Sequence, residues 1–259
     1  MIGLGVGIWH GITGRREIKF SPLSLFSSGE QGAWYDPSDL STLFQDSAGV
    51  IPVTAAGQPV GLMRDKSGSG NHASQVTSTM RPILRNSGAL WWLQFDGIDD
   101  FLFVADNQGL KSSKMSLFIG VNPLALSSRE DWFSSGNSVG YSTNNYTVGN
   151  SSVGIQLLPR TPASTIALSA ISASAPIVVS VISDNAQSLV QTKINGIQAA
   201  DKTATFGTDN TAGFFIGKSS NGSPSGMYLF GMIARGASTL SADKLSTEKY
   251  LAAKSGVTI

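Results

Sequence analysis

The side chains best suited to chemistry are oxygens on turns and aromatic rings on short strands. Asp96-Gly97-Ile98-Asp99-Asp100 places three carboxylates within five residues, and Asp65-Lys66-Ser67-Gly68-Ser69-Gly70-Asn71-His72 adds a carboxylate and an amide in a glycine-punctuated turn. Calcium takes hard oxygen ligands of this kind, so Asp65, Asn71, Asp96, Asp99 and Asp100 are candidate Ca²⁺ ligands. The same residue types also bond their own turn amides, and that alternative stays open. Among the aromatics, Trp92, Trp132, Tyr141 and Tyr146 are candidate ligand-binding residues, since rings stack on pyranose faces while Asn and Asp hold hydroxyls. In Trp91-Trp92 adjacent strand residues face opposite sides, so one ring is core and the other exposed or at an interface. Trp132, Tyr141 and Tyr146 lie in the least patterned region, residues 127–162, where long loops form a recognition surface.

Catalytic constellations are scarce. Glycoside hydrolysis needs two carboxylates about 5–9 Å apart flanking the bond. Only four glutamates occur (Glu17, Glu30, Glu130 and Glu248), and none has an acidic partner two or four residues on. Glu130-Asp131 are adjacent, so on a regular strand they would face opposite ways. The histidines are His10 and His72, and no G-x-S-x-G elbow accompanies them. The expectation is a protein that is not an enzyme.

These groups need elements to position them, and the composition supplies short strands. The 259 residues are 41% hydrophobic and 14% charged, with 29 glycines and abundant Ser, Thr and Asn. Many strands joined by turns have this make-up. A net charge of +1 advertises neither nucleic acid nor a membrane surface, and the absence of cysteine excludes disulfides and thiolate metal sites. No apolar run approaches the ~18 residues of a membrane span. The glycine-punctuated N-terminus lacks a charged n-region, which predicts no signal peptide.

In Met1–Trp9, Ile2, Leu4, Val6 and Ile8 alternate with Gly3, Gly5 and Gly7, and Trp9 follows. A strand with one greasy and one bare face needs a cover, which predicts an assembly arm over residues 1–32 that docks on a neighbouring subunit. A nucleotide loop is excluded, because G-x-G-x-G lacks the G-x-G-x-x-G spacing and no helical pattern follows. Trp34-Tyr35 opens the next unit. The run from Leu93 through the acidic turn to Phe101, Phe103 and Val104 reads as a β-hairpin. Met115–Val121 stops at Asn122-Pro123, Pro176–Ile182 is a buried strand, and Asn195-Gly196 is a two-residue hairpin turn. Phe214–Gly217 and Gly226–Ala234 are the last strands. One helix follows, opened by a Ser241 hydroxyl cap, with Leu245, Leu251 and Ala252 on one face and Gly256 as terminator.

Asp65-x-Ser67-Gly68-x-Gly70-Asn71-His72-Ala73, then Phe95-Asp96-Gly97-x-Asp99-Asp100, then Leu117–Val121 ending in Asn-Pro resemble the concanavalin A-like, laminin-G-type jelly roll. So do the Asn195-Gly196 hairpin, Phe215-Ile216-Gly217, and the close Phe230-Gly231 to Tyr250-Leu251, over residues 33–259 in the family's order. The resemblance implies an all-β, two-sheet antiparallel jelly-roll sandwich with one C-terminal helix and an extended N-terminal arm. It also implies ligands on a face or loop rim and often a calcium ion. The lead Trp34–Ser41, the arm and the missing signal resemble tailed-bacteriophage proteins that carry this domain. That implies a virion structural protein made in the host cytoplasm, a homo-oligomer present in repeated copies and held by other virion proteins through the arm. Its expected role is tail-associated attachment to a host glycan or receptor; the alternative is a capsid decoration or tail-stabilising subunit that binds no sugar. Neither nucleic acid nor membrane insertion is expected.

Overall fold

Along β8 (Lys114–Pro123) Met115, Leu117, Ile119 and Val121 are buried toward one side, while Ser116, Phe118 and Gly120 face the other. That period of two, repeated strand by strand, sets the architecture. The computed structural model describes residues 20–105, 113–125, 129–135, 147–151, 154–158, 166–169, 175–199, 201–203, 213–219 and 222–259. The arm residues Ile2, Leu4, Val6, Ile8 and Trp9, and the candidates Tyr141 and Tyr146, lie outside them.

The other strands are β1 (Gly32–Tyr35), β2 (Leu43–Phe44), β3 (Leu62–Met63), β4 (Ala73–Ser74), β5 (Ile83–Ser87), β6 (Leu90–Asp96), β7 (Leu102–Val104) and β9 (Glu130–Ser135). They continue as β10 (Thr147–Ser151), β11 (Gly154–Leu158), β12 (Ile166–Ser169), β13 (Ile177–Asp184), β14 (Leu189–Ile194), β15 (Ile197–Gln198), β16 (Lys202–Thr203), β17 (Phe214–Ile216) and β18 (Gly226–Arg235). One sheet runs β15-β14-β13-β8-β18-β6-β5, with β1 also on β18 and β16 on β14. The other runs β12-β11-β10-β9-β17-β7-β4-β3-β2. All pairings among these strands are antiparallel, and the main core lies between the sheets, with Leu93, Phe95, Leu117, Ile119 and Met232 from one meeting Leu102, Phe133, Phe214 and Ile216 from the other. The expected all-β two-sheet sandwich is the fold.

A 15-residue helix, α1 (Ser241–Ser255), lies on the outer face of the first sheet. Leu251 and Ala252 join Trp34, Phe118, Val178 and Ile233 there, with Leu25 and Phe26 from the 3₁₀ turn Pro22–Phe26. Thus part of the stretch expected as linker packs on the sandwich. Two bare positions let the helix come close: a Cβ on Gly231 would stand 2.9 Å from a Leu251 methyl, and one on Gly120 would stand 3.5 Å from Ser255 Oγ. Gly256 ends the helix in the left-handed region at φ 71°, as expected. The expected cap differs: Leu240 occupies the N-cap with no side-chain bond, and Ser241 is already helical. Leu245 is also turned outward, 44% exposed, because Thr247, Glu248 and Ser255 fill the sheet-facing stripe with it excluded.

The acidic turn is not the loop of a hairpin. β6 pairs with β5 and β18 in the first sheet, whereas β7 pairs with β17 and β4 in the second. Residues 97–101 cross one end of the sandwich, and Leu93, Phe95, Leu102 and Val104 meet across the core instead of along one ladder. At Asn195-Gly196 the expected turn is present, with φ of 50° and 77°. β8 also carries on through Asn122-Pro123, where Leu124 N–H donates to Gly226 O.

Candidate functional site

Since Leu84, Leu93 and Phe95 point into the core, their alternates Ile83, Arg85, Trp92, Gln94 and Asp96 present themselves on the outer face of the first sheet. Register extends this face: Ile83 opposes Gln94, Gln94 opposes Tyr228, and Tyr228 opposes Asn122, while Arg85 opposes Trp92 in the neighbouring row. Opposed residues share a face with Cβ atoms about 5 Å apart, so four strands supply one surface. The Trp92 ring lies 5.5 Å from Tyr228 at 34° and 5.8 Å from Phe230 at 50°. Phe230 joins the cluster by alternation, since Met227 and Leu229 point into the core and Tyr228 and Phe230 point the other way.

Polar groups surround the rings. Arg85 Nε donates to Gln94 Oε1 at 2.9 Å, holding amide and guanidinium together. Trp92 Nε1 and Asn122 Oδ1 have no hydrogen-bond partner among the described residues. Beside them runs a groove of about 270 Å³ lined by Thr79, Arg81, Arg85, Gln94, Asp96 and Asp100. Arg81 is anchored there by donating from Nε to Gln75 O at 3.0 Å and from its Nη2 to Val76 O at 2.9 Å. A half-buried aromatic platform rimmed by amide, guanidinium and carboxylate suits a polyhydroxylated ligand: rings take C–H faces and the rim takes hydroxyls.

The acidic turn closes one end of this groove. Asp96 Oδ1 accepts the amides of Ile98 at 2.8 Å and Asp99 at 3.2 Å, and Asp100 Oδ2 accepts that of Asp96 at 3.1 Å. Carboxylate oxygens of Asp96, Asp99 and Asp100 fall within 4.8 Å of one another. Burial, reinforced by the charges of Asp96 and Asp99 and opposed by the Asp96 amide, pushes the Asp100 carboxyl up to about 6. By donor type these three would be the residues to hold a hard cation, although Asp96 Oδ1 is already committed to amides.

Asp65 and Asn71 build their own loop instead. Asp65 Oδ1 accepts Trp34 N at 2.9 Å and Ser67 N at 2.8 Å; Oδ2 accepts Ser67 Oγ at 2.8 Å and Asn71 N at 3.0 Å. These four donors fill the four lone-pair sites of the carboxylate. Asn71 Nδ2 donates to Gly32 O at 2.7 Å, its carbonyl accepts the Tyr35 hydroxyl, and His72 Nδ1 accepts Asp65 N at 3.1 Å. The loop staples the second sheet to β1, with the Asp65 carboxylate committed to donors of that loop and of β1.

Of the aromatic candidates, Trp92 is on the surface described above and Trp91 packs against the main core, as the adjacent pair predicts. Trp132 is fully buried in the core, which removes it as a platform. Arg85, Gln94, Asn122 and Tyr228 are the residues the sequence did not single out. Gln94 carried the one local signal, its parity with Trp92 along β6; Arg85, Tyr228 and Asn122 reach the face through cross-strand register, which no single strand reveals.

No known family pattern and no curated protein matches this sequence. Solved structures do share the fold. Trypanosoma rangeli sialidase superposes with a TM-score of 0.57 at 13% identity, over 90% of this chain and 34% of the sialidase. The binding domain of Paraclostridial Mosquitocidal Protein 1 gives 0.55 at 11% identity, over 74% of this chain and 49% of that one. Domain 4 of AbnA, an extracellular arabinanase from Geobacillus stearothermophilus solved with arabinotriose, gives 0.52 at 16% identity, over 85% and 99%. This chain spans about a third of the sialidase's length. At such identities the likeness is one of fold alone: a two-sheet antiparallel β-sandwich.

Proposed function

We propose that this protein is a non-catalytic carbohydrate-binding β-sandwich whose binding surface is the outer face of β5, β6 and β18. The observation that carries the reading is the Trp92–Tyr228 ring pair, flanked by Gln94, Asn122 and Arg85 and opening onto a polar groove. Aromatic faces take the apolar side of a pyranose or furanose, and fixed amides and a guanidinium order its hydroxyls. Fold neighbours whose names mention a sialidase, a binding domain and an arabinotriose complex point the same way. In the setting implied by the sequence resemblance, the domain is displayed on a phage tail and attaches to a host-surface glycan.

The test is a glycan array probed with the full chain, spanning arabino-oligosaccharides, sialosides and bacterial surface polysaccharides, followed by calorimetry on hits. Saturable binding that Trp92→Ala and Gln94→Ala each weaken at least tenfold is expected. Binding untouched by both substitutions, or none at millimolar glycan, would overturn the assignment.

A further inference from the structure

Helix α1 lies over β13, β8 and β18, which leaves Trp92 on β6 at one flank and β14 with β15 at the other. On that second flank, between strands and helix, is a cavity of about 150 Å³. Register sets its floor. Val178 and Ile182 of β13 pack beneath α1, so Ser180 between them faces the same way. Ser180 opposes Lys193, Lys193 opposes Gln198, and Ile182 opposes Gln191 in the next row. Three strands thus bring Ser180, Gln191, Lys193 and Gln198 to one face. The helix closes the other side with Ser241, Lys244 and Glu248, whose spacings of three and four residues put them on one stripe.

The charges do not cancel evenly. Glu248 is 1% exposed; its Oε1 accepts Ser180 Oγ at 2.7 Å, and its Oε2 lies 3.5 Å from Lys193 Nζ. Lys193 is thereby balanced. Lys244 Nζ donates to the neutral Gln191 Oε1 at 3.1 Å and forms no ion pair among the described residues. Burial and the Lys193 charge hold its ammonium below the ordinary 10.5, against the opposing pull of Glu248 and Asp201. Asp201 is exposed and screened by water, and its oxygens accept Gln191 Nε2 at 3.3 Å and Gln198 Nε2 at 2.9 Å. Those bonds orient both amides, so Gln198 keeps its carbonyl oxygen as an acceptor. The cavity therefore offers one surplus ammonium, the Ser241 hydroxyl, and acceptor oxygens on Gln198 and Glu248. A bare inorganic anion would set its own oxygens against those acceptors, and a neutral sugar would leave Lys244 unbalanced. A carboxylate whose neighbouring carbons bear hydroxyls answers both, taking Lys244 and Ser241 while its hydroxyls donate to Gln198 and Glu248. The volume falls below the roughly 300 Å³ at which drug-sized pockets begin, which suits a ligand of a single ring. We infer that this cavity binds a compact hydroxylated monocarboxylate, a uronic acid or similar sugar acid, at a site separate from the Trp92 surface.

The experiment is calorimetric titration of the full chain with sodium glucuronate, glucose, acetate and sulfate at constant ionic strength, with amide NMR shifts to place the site. Glucuronate is expected to bind at least about tenfold more tightly than each of the other three, and to move the amides of Lys193, Gln198 and Lys244. Lys244→Met keeps the aliphatic stem and should weaken glucuronate by about tenfold or more in a chain that remains folded by circular dichroism. Gln198→Ala, at an exposed position, should weaken glucuronate and leave acetate unchanged. Sulfate or acetate binding as tightly as glucuronate would make this a plain anion site and overturn the inference, and glucose binding as tightly would overturn it by removing the role of charge. Glucuronate affinity that survives both substitutions, shifts confined to Trp92 and Gln94, or no binding at millimolar glucuronate would each overturn it as well. None of these results bears on glycan binding at Trp92, whose own test is loss of affinity on the other flank of the helix.

Discussion

Lys254 Nζ lies 3.0 Å from Asp36 Oδ2 and joins the last turn of α1 to the end of β1 across 218 residues of chain. Asp36 also accepts from Tyr250 Oη at 2.8 Å, Ser38 Oγ at 2.6 Å and Lys66 Nζ at 3.4 Å, so one buried carboxylate gathers the helix, β1 and the Asp65 loop. Its side chain is 5% exposed and that of Lys254 27%. Removing the buried acceptor strands several donors, whereas removing one half-buried donor leaves the others in place. Asp36→Ala is expected to cost about 3 kcal/mol of stability and Lys254→Met about 1 kcal/mol or less in urea unfolding at neutral pH. Equal losses would mean that the pair, not the hub, carries the energy.

Proton linkage gives the stability curve two opposing arms. Burial alone would raise the Asp36 carboxyl, but the Ser38 hydrogen bond and the Lys254 charge overcome it and hold Asp36 below its ordinary 3.8. Its stabilisation is present above that value and is lost as pH falls through the lowered one. Asp100, pushed up to about 6, and Glu130, pushed by burial up to about 7, act in the other direction. Folded, they bind protons that the unfolded chain has released, so stability declines as pH rises from their ordinary values of 3.8 and 4.5 through 6 to 7. In EDTA, Tm is expected to peak near pH 4–5 and fall toward neutrality. Asp100→Asn should flatten the part of the decline up to pH 6. A Tm that rises steadily from pH 4 to 7 would contradict this account.

Legibility in the sequence followed regular alternation and stopped where alternation breaks. Trp91 and Trp92 split between core and surface because β6 is regular against both neighbours. Trp132 and Phe133 are both in the core because the β9–β10 register passes from Val148↔Phe133 to Gly149↔Asp131 and leaves Trp132 without an opposite residue. A bulge has no one-strand signature, so an aromatic expected at a rim is interior. The acidic turn resembles a hairpin in the sequence for a related reason. Local pattern gives strand, turn and strand, but only non-local pairing with β18 and β17 decides that the two strands belong to different sheets. Asp65 shows the third limit: its carboxylate bonds the Trp34 amide, a partner 31 residues away that spacing within its own loop cannot reveal.

Gly217 has φ of 81°, and a Cβ there would stand 2.4 Å from Cδ1 of the fully buried Phe95. Strain in the backbone and overlap in the core add, since neither relaxes without moving β17 or β6. Gly217→Ala is expected to destabilise the fold by about 3 kcal/mol. Gly68→Ala also carries strain at φ 90°, but a Cβ there meets open space, so it should cost about 1 kcal/mol. Chemical denaturation of the two variants separates overlap from backbone strain, and equal costs would refute the core clash.

Trp92 and Trp132 provide a built-in contrast between recognition and packing. Trp132 is fully enclosed, so Trp132→Ala should cost about 3–5 kcal/mol and depress glycan binding only as far as it unfolds the chain. Trp92 is half-buried and touches Tyr228 and Phe230 on an outer face, so Trp92→Ala should cost about 1–2 kcal/mol while weakening binding at least tenfold in the folded protein. Trp92→Phe keeps a ring on the platform and should recover part of the affinity, because stacking depends on the face and not on the indole N–H. Calorimetric titration at a temperature where all three variants remain folded reads the two effects apart. If Trp92→Ala binds as the parent does while Trp132→Ala does not, recognition lies at the β9–β10 end of the sandwich and the outer face of β6 is a packing surface.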